Sequence, residues 1–201
     1  MTGVQTCALP ISECGSTFPE DLAEHLPGYN FPQMCDMESI YACADLLHAS
    51  KRPLLYVGQG ARISGAAELV RELAEKLQAP VTTTLLGKGA FPETHELSVG
   101  MLGMHGTAYA NKTVVDCDLI MAIGARWDDR ITGKLSEFCP AAKKIHLDID
   151  PAEHGKIIEP DVPLVGDAKL VLEELIQHIT GLDTGDWLKR INGCVEERRV
   201  G

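Results

Sequence analysis

The chain has 201 residues, 23% of them charged and 45% hydrophobic, a globular balance with apolar material for one sizeable core rather than two full domains. Eighteen Lys and Arg against 29 Asp and Glu leave a net charge of −11, which speaks against nucleic-acid binders and polybasic membrane-surface proteins. No apolar run approaches the roughly 20 residues of a spanning helix, so the sequence reads as soluble, without nucleic-acid or membrane partners.

The seven cysteines, at 7, 14, 35, 43, 117, 139 and 194, form no CxxC pair and are odd in number, so they read as reduced thiols in a cytosolic setting. The segment around Cys7-Ala8-Leu9-Pro10-Ile11 is too short, and lacks the basic flank, for a signal peptide. Residues 1–12 fit neither helical nor strand periodicity and resemble translated adaptor sequence. On that reading Met1 is not a natural start and the chain is a fragment. Residues 1–50 carry seven acids and no Lys or Arg, whereas 51–201 carry 18 basic and 22 acidic residues. That shift predicts a junction near residue 50.

A helix is predicted over 37–49, with Asp36 as N-cap and Ile40, Cys43, Ala44 and Leu47 on its apolar face. Residues 53–57 form a short apolar run, read as a buried strand ending in a tight turn at Gly58-Gln59-Gly60. Ser64 is expected to cap a helix with Ala66, Leu69, Val70, Leu73 and Leu77 in one stripe, closed by Pro80. A strand over 81–85 follows, stopped by Gly87-Lys88-Gly89. Next come a short helix over 107–115, a strand over 118–123 stopped by Gly124, a strand over 144–149 and a short one over 163–165. Asp167 caps a last helix with Leu170, Leu172, Leu175, Ile176 and Ile179 inside, ended by Gly181. Beyond it the polar stretch reads as a linker. Apolar strands alternating with amphipathic helices predict βαβ units and a parallel sheet covered on both faces.

Ligands in such sheets bind beyond the carboxyl ends of the strands. Those positions hold Gly58-Gln59-Gly60, Leu86-Gly87-Lys88-Gly89, Gly124 to Arg130, Asp148 to Asp150, and Gly166-Asp167. Glycines admit a phosphate close to backbone amides and acids bind ribose hydroxyls, so the set describes a nucleotide site. Each signal also has a plain structural reading. A glycine after a strand is often only a turn. Asp150-Pro151-Ala152-Glu153 has the form of a helix start, which leaves Asp148 as the better ribose candidate. The charges at Arg126, Asp128, Asp129 and Arg130 read equally as a surface ion-pair cluster. The NAD fingerprint fails, because Gly58-x-Gly60 lacks its third glycine and Ala79-Pro80 stands where the acid belongs. His105, between Gly103-Met104 and Gly106-Thr107, has no Ser or Cys elbow to partner it, so a triad hydrolase is not supported.

Five ordered segments carry a resemblance: Tyr56-Val57-Gly58-Gln59-Gly60, residues 84–89, residues 101–107, residues 124–134 and residues 146–156. Together they resemble the central domain of the acetolactate synthase (acetohydroxyacid synthase) catalytic subunit, a thiamine-diphosphate enzyme. The match runs in order over about 51–180. The pairing of Met104-His105-Gly106-Thr107 with the segment from Asp128 to Lys134 separates this family from other thiamine-diphosphate decarboxylases. Gln59 replaces a frequent Gly, and Trp127 stands where Phe is usual.

The resemblance implies an α/β fold, a Rossmann-like parallel sheet of about six strands with helices on both faces, holding an extended FAD that does no net redox chemistry. Carried over by position, FAD contacts Gly58, Gln59, Gly60, Thr84, Leu85, Leu86, Leu102, Gly103, Met104 and His105. It also contacts Gly124, Ala125, Arg126, Asp128, Arg130, Ile131, Asp148, Ile149, Asp167 and Ala168. Met104, Asp129 and Arg130 lie near the family's substrate channel and herbicide-binding surface. The implied parent condenses pyruvate with a second 2-keto acid in branched-chain amino-acid synthesis, using thiamine diphosphate and Mg²⁺ bound by other domains. Its implied partners are a homodimer or tetramer and a small regulatory subunit, in a bacterial cytoplasm or an organelle. The expected organisation is an adaptor-like 1–12, a linker and lead-in helix at 13–50, the FAD domain at 51–180 and a truncated linker at 181–201. No catalytic residue is assigned within the chain. Gly166-Asp167-Ala168 only superficially resembles the Gly-Asp-Gly metal motif, and residues 182–191 lack the strand that would present Asn192, so no metal site is assigned. Two alternatives stand: a free-standing nucleotide-binding regulatory module, and a sister enzyme such as glyoxylate carboligase.

Overall fold

The computed structural model describes residues 32–196; the adaptor-like 1–12 and most of the expected linker lie outside them. The sheet has six parallel strands: β1 (Pro53–Val57), β2 (Val81–Thr83), β3 (Ser98–Met101), β4 (Leu119–Ile123), β5 (Lys143–Asp148) and β6 (Val162–Val165). Their order is β3-β2-β1-β4-β5-β6, the doubly wound arrangement in which strand order reverses between β1 and β4. The helices are α1 (Met37–Ala49), α2 (Gln59–Ile63), α3 (Ala67–Leu77), α4 (Ala108–Asp116), α5 (Asp129–Thr132), α6 (Ala168–Leu175) and α7 (Gly185–Glu196).

β1 and β4 are buried along their whole length because both faces of the sheet are covered. Alternation divides their side chains between two cores. Leu55, Val57, Met121 and Ile123 pack under α1, α3 and α6, while Leu54, Tyr56, Ile120 and Ala122 pack on the other face with Trp127 and Phe138. Each fully buried aliphatic side chain contributes about 1.5–3 kcal/mol relative to exposure. Asp118 ties the edge of this frame together. Its carboxylate accepts from the Ser50 hydroxyl at 2.5 Å and the Lys51 and Arg52 amides at 3.0 and 2.9 Å.

The lead-in helix and its cap match expectation, with Asp36 Oδ1 accepting from the Ser39 amide at 2.8 Å. Several local expectations are corrected. The turn after β1 is the short helix α2, which Ser64 follows as C-cap; the apolar stripe starts at α3, with Ala66 as N-cap. The strand expected over 81–85 stops at Thr83, because the Thr84 hydroxyl accepts from the Gly87 amide at 2.8 Å and turns the chain. β3 has no sequence signal, since this four-residue edge strand contains Gly100 at φ +75° beside a register shift. Leu170 is 39% exposed rather than inside. The last regular α-helix ends at Leu175 and passes into a 3₁₀ turn (Ile176–His178), ahead of Gly181.

The polar stretch read as a linker contains α7. Trp187 and Ile191, one helical turn apart, are buried, and the Trp187 indole donates to the Pro53 carbonyl at 3.1 Å. Arg190 pairs with Asp116 of α4 at 2.7 Å. Among the described residues no helix is long and apolar enough to cross a membrane. Cys35, Cys43, Cys117 and Cys139 are free thiols; burial pushes Cys139 up to about 11 and raises the other three as well, so none is an activated nucleophile.

Candidate nucleotide-binding cleft

At the reversal of strand order the ends of β1 and β4 are held together by glycines. The Gly58 amide donates to the Ile123 carbonyl at 2.9 Å, Gly60 to Gly124 at 3.0 Å, and Gly124 to Leu147 at 2.8 Å. A Cβ on Gly58 would collide with the Gly124 carbonyl oxygen, and one on Gly60 would lie 2.7 Å from Gly124 Cα. These glycines therefore serve close backbone approach, and their amides are already used. That corrects, at Gly58, Gly60 and Gly124, the expectation that glycines after the strands bring free backbone amides to a phosphate. The Ala125 and Arg126 amides have no protein acceptor among the described residues.

Above this junction lies a cleft of about 720 Å³, within the size range of small-molecule sites. It is lined from β1 by Gly58, Gln59 and Gly60; from β2 by Thr84, Leu85 and Leu86; and after β3 by Leu102, Met104 and His105. The segment after β4 adds Gly124, Ala125, Arg126, Asp128, Arg130 and Ile131, and β5 adds Asp148. A smaller cleft of about 240 Å³ shares Gly60, Gly124 and Asp148 with it and brings in Ile149, Asp167 and Ala168. Gly103 and Asp129 do not line either cleft. Gly103 sits behind the wall at φ +96°, where a Cβ would be 2.6 Å from the Arg130 carbonyl oxygen. Asp129 is exposed at the first position of α5.

The charged cluster after β4 is not an ion-pair cluster. Asp128 caps α5, accepting from the Arg130 amide at 3.2 Å. Among the described residues neither Arg126 nor Arg130 has a carboxylate within salt-bridge distance. Two exposed guanidiniums on the cleft leave it attractive to anions. Leu85, Leu86 and Met104 are also exposed there, so the lining offers an aliphatic surface beside a cationic one.

Asp148 is mostly buried, and its Oδ1 accepts from the Asp150 amide at 2.9 Å. Asp150 in turn caps the 3₁₀ turn Pro151–Glu153, as its structural reading predicts. Asp167 is the N-cap of α6, accepting from the Lys169 and Leu170 amides at 2.9 and 3.3 Å. Its carboxylate is thus committed to the helix.

Sequence reasoning did not offer Tyr56, Ile63 or Met101 as lining residues, nor two supports behind the wall. Asn111 clamps Gly103, accepting from its amide at 2.8 Å and donating to its carbonyl at 3.1 Å, while the Met104 amide donates to the Arg130 carbonyl at 2.9 Å. His146 lies fully buried under the loop after β4. Tyr56 and His146 stood inside motifs quoted above; only their partners reveal what they do.

The thiamine pyrophosphate enzyme, central domain, family matches residues 40–175. The chain is 51% identical over 169 residues to the acetolactate synthase large subunit of Parasynechococcus marenigrum (strain WH8102), covering 82% of this chain and 27% of that protein. It is 48% identical over 177 residues to the probable acetolactate synthase large subunit of Methanocaldococcus jannaschii, covering 87% and 30%. The corresponding subunit of Cyanidium caldarium is 52% identical over 159 residues, covering 76% and 27%. The chain thus spans less than a third of these curated relatives. With a six-stranded parallel sheet beneath that match, the chain belongs to the family of thiamine pyrophosphate enzyme central domains.

Proposed function

We propose that this chain is the FAD-holding central domain of an acetolactate synthase large subunit. The observation that carries the reading is the cleft at the β1/β4 reversal. Arg126 and Arg130 line it without carboxylate partners among the described residues, and Leu85, Leu86 and Met104 supply an aliphatic surface. An extended dinucleotide with a phosphate bridge and a flat ring system matches that division. In this reading Asp148 accepts from the ribose hydroxyls, the segment from Ala125 to Arg130 faces the phosphates, and Leu85, Leu86 and Met104 contact the apolar ring. The identities of 45–52% to acetolactate synthase large subunits support the parent activity.

The parent condenses pyruvate with a second 2-keto acid in branched-chain amino-acid synthesis. Thiamine diphosphate, held with Mg²⁺ by polypeptide outside this chain, supplies the carbanion-stabilising chemistry when bound. Here Arg130 contributes orientation, since a guanidinium grips a carboxylate in a bidentate way, and Met104 and Asp129 flank the same approach. The large subunits assemble as dimers or tetramers with a small regulatory subunit, in a cytoplasm or an organelle.

Two measurements test this. Equilibrium dialysis against FAD, followed by flavin fluorescence, is expected to show stoichiometric but modest binding. Tight NAD binding with no FAD binding would overturn the cofactor. A pyruvate incubation with thiamine diphosphate, Mg²⁺ and FAD is expected to give no acetoin colour after acidification. Turnover above a protein-free control would overturn the assignment of the chemistry to the remaining polypeptide.

A further inference from the structure

Tyr56, Ala122 and His146 are paired side by side across β1, β4 and β5, so their side chains share one face of the sheet. Ala122 between them is small, and the loop from Gly124 to Trp127 folds back over the row. The Tyr56 hydroxyl donates to the Arg126 carbonyl at 3.2 Å and His146 Nε2 donates to the Ala125 carbonyl at 3.0 Å. A carbonyl only accepts, so Nε2 carries the hydrogen of the neutral ring. The Trp127 ring packs near both residues, with centroids 5.5 Å from Tyr56 and 5.6 Å from His146.

Two successive carbonyls of this loop are thus held against the buried side. No peptide bond in the described residues is cis, and in a trans plane the N–H points opposite to the C=O. The Arg126 amide shares its plane with the Ala125 carbonyl. It is therefore turned away from buried His146, on a loop whose Ala125 and Arg126 line the cleft, and it has no acceptor among the described residues.

We propose that Tyr56 and His146 are positioning residues for a phosphate subsite: His146, by holding the Ala125 carbonyl inward, aims the Arg126 amide, beside the Arg126 and Arg130 guanidiniums, at a phosphate group in the cleft, and Tyr56, by holding the Arg126 carbonyl, fixes the adjoining Arg126–Trp127 plane of the same loop. This rests on the dinucleotide reading and assigns the diphosphate its place in it. The hydrogen bonds from Tyr56 and His146 span 70 and 21 residues, so the orientation of two consecutive peptide planes depends on three strands.

The test follows the nitrogen-15 resonance of the Arg126 amide in the 201-residue chain, with inorganic pyrophosphate, ADP, adenosine and FAD as separate probes. In the unsubstituted chain, pyrophosphate and ADP shift that resonance. Tyr56→Phe and His146→Phe weaken ADP binding about tenfold, the loss expected for one misdirected bond to a charged acceptor, and leave adenosine binding unchanged. His146→Gln, whose side-chain amide reaches the same carbonyl, restores most of the ADP affinity. A merely structural role would weaken ADP and adenosine in proportion, so an unchanged ADP-to-adenosine ratio in Tyr56→Phe overturns the proposal even if His146→Phe does not fold. An Arg126 amide unmoved by pyrophosphate overturns it too. If FAD fails to bind while pyrophosphate still shifts Arg126 and the variants abolish that shift, the dinucleotide reading falls and the positioning role stands. If FAD binds equally to every variant, the positioning role falls and the dinucleotide reading stands.

Discussion

Gly124→Ala is expected to be strongly damaging, and its cost separates into two parts. Gly124 has φ +57°, a left-handed conformation that costs a residue with a Cβ about 1–2 kcal/mol. The added Cβ would also stand 2.6 Å from both Gly60 Cα and the Ala61 nitrogen, and 2.7 Å from the Gly60 carbonyl carbon. All three are backbone atoms of the first turn of α2, which cannot rotate aside as a side chain could, so overpacking adds about 1–3 kcal/mol. The total of about 2–5 kcal/mol is a large share of the roughly 5–15 kcal/mol that holds a domain folded. Gly65 is the internal control: it has φ +74° but nothing within 4 Å of its would-be Cβ, so Gly65→Ala carries only the conformational cost. Urea unfolding of both variants with a common slope measures the difference as a midpoint shift. Since the clash pushes α2 away from the loop after β4, Gly124→Ala also loses FAD affinity that Gly65→Ala retains. Equal midpoints and equal FAD binding in the two variants would refute the close-approach argument.

Replacing Asp148 by Ala removes both the proposed ribose acceptor and the bond from the Asp150 amide, and is expected to weaken FAD binding by about 1–3 kcal/mol. Asp148→Asn keeps an oxygen for that amide, so its loss isolates the ligand contribution; unchanged dialysis constants in both variants would remove Asp148 from the site. Asn111→Ala leaves the Gly103 amide and carbonyl without their clamp and is expected to cost about 1–3 kcal/mol, with faster amide exchange at Met104 and His105; protection at wild-type level would show that the loop holds itself. Burial first, then the neighbouring His154, hold the His146 pKa below its ordinary 6.5. The unfolded chain therefore protonates this site before the folded one. Stability is unaffected above pH 6.5 and falls as pH drops below it toward the lower folded value. The melting temperature is expected to fall less between pH 7 and pH 5.5 in His146→Gln than in the unsubstituted chain; parallel curves would contradict the buried neutral ring.

The alternation of short continuous apolar runs with amphipathic stripes was enough to read five of the six strands and a doubly covered parallel sheet, because in such a sheet both faces must be apolar and the run itself is the signal. Caps were legible for the same local reason: Asp36, Asp150 and Asp167 each bond an amide two or three residues away. What failed were two local turns, at Ser64 and between Thr84 and Gly87, and whatever depended on distant chain. β3 is a strand because β2 lies beside it, not because Ser98-Val99-Gly100-Met101 favours one. α7 forms a packed helix because Trp187 finds the Pro53 carbonyl 134 residues away. The strand-end positions of the cleft could be read from sequence, since parallel topology puts every such position on one side. The spent amides of Gly58, Gly60 and Gly124, the absence of carboxylate partners for Arg126 and Arg130 among the described residues, and the aim of the Arg126 amide could not. They follow from how β1, β4 and β5 are placed side by side, and hydrogen bonds and ion pairs are settled by distance in space, which residue order alone does not encode.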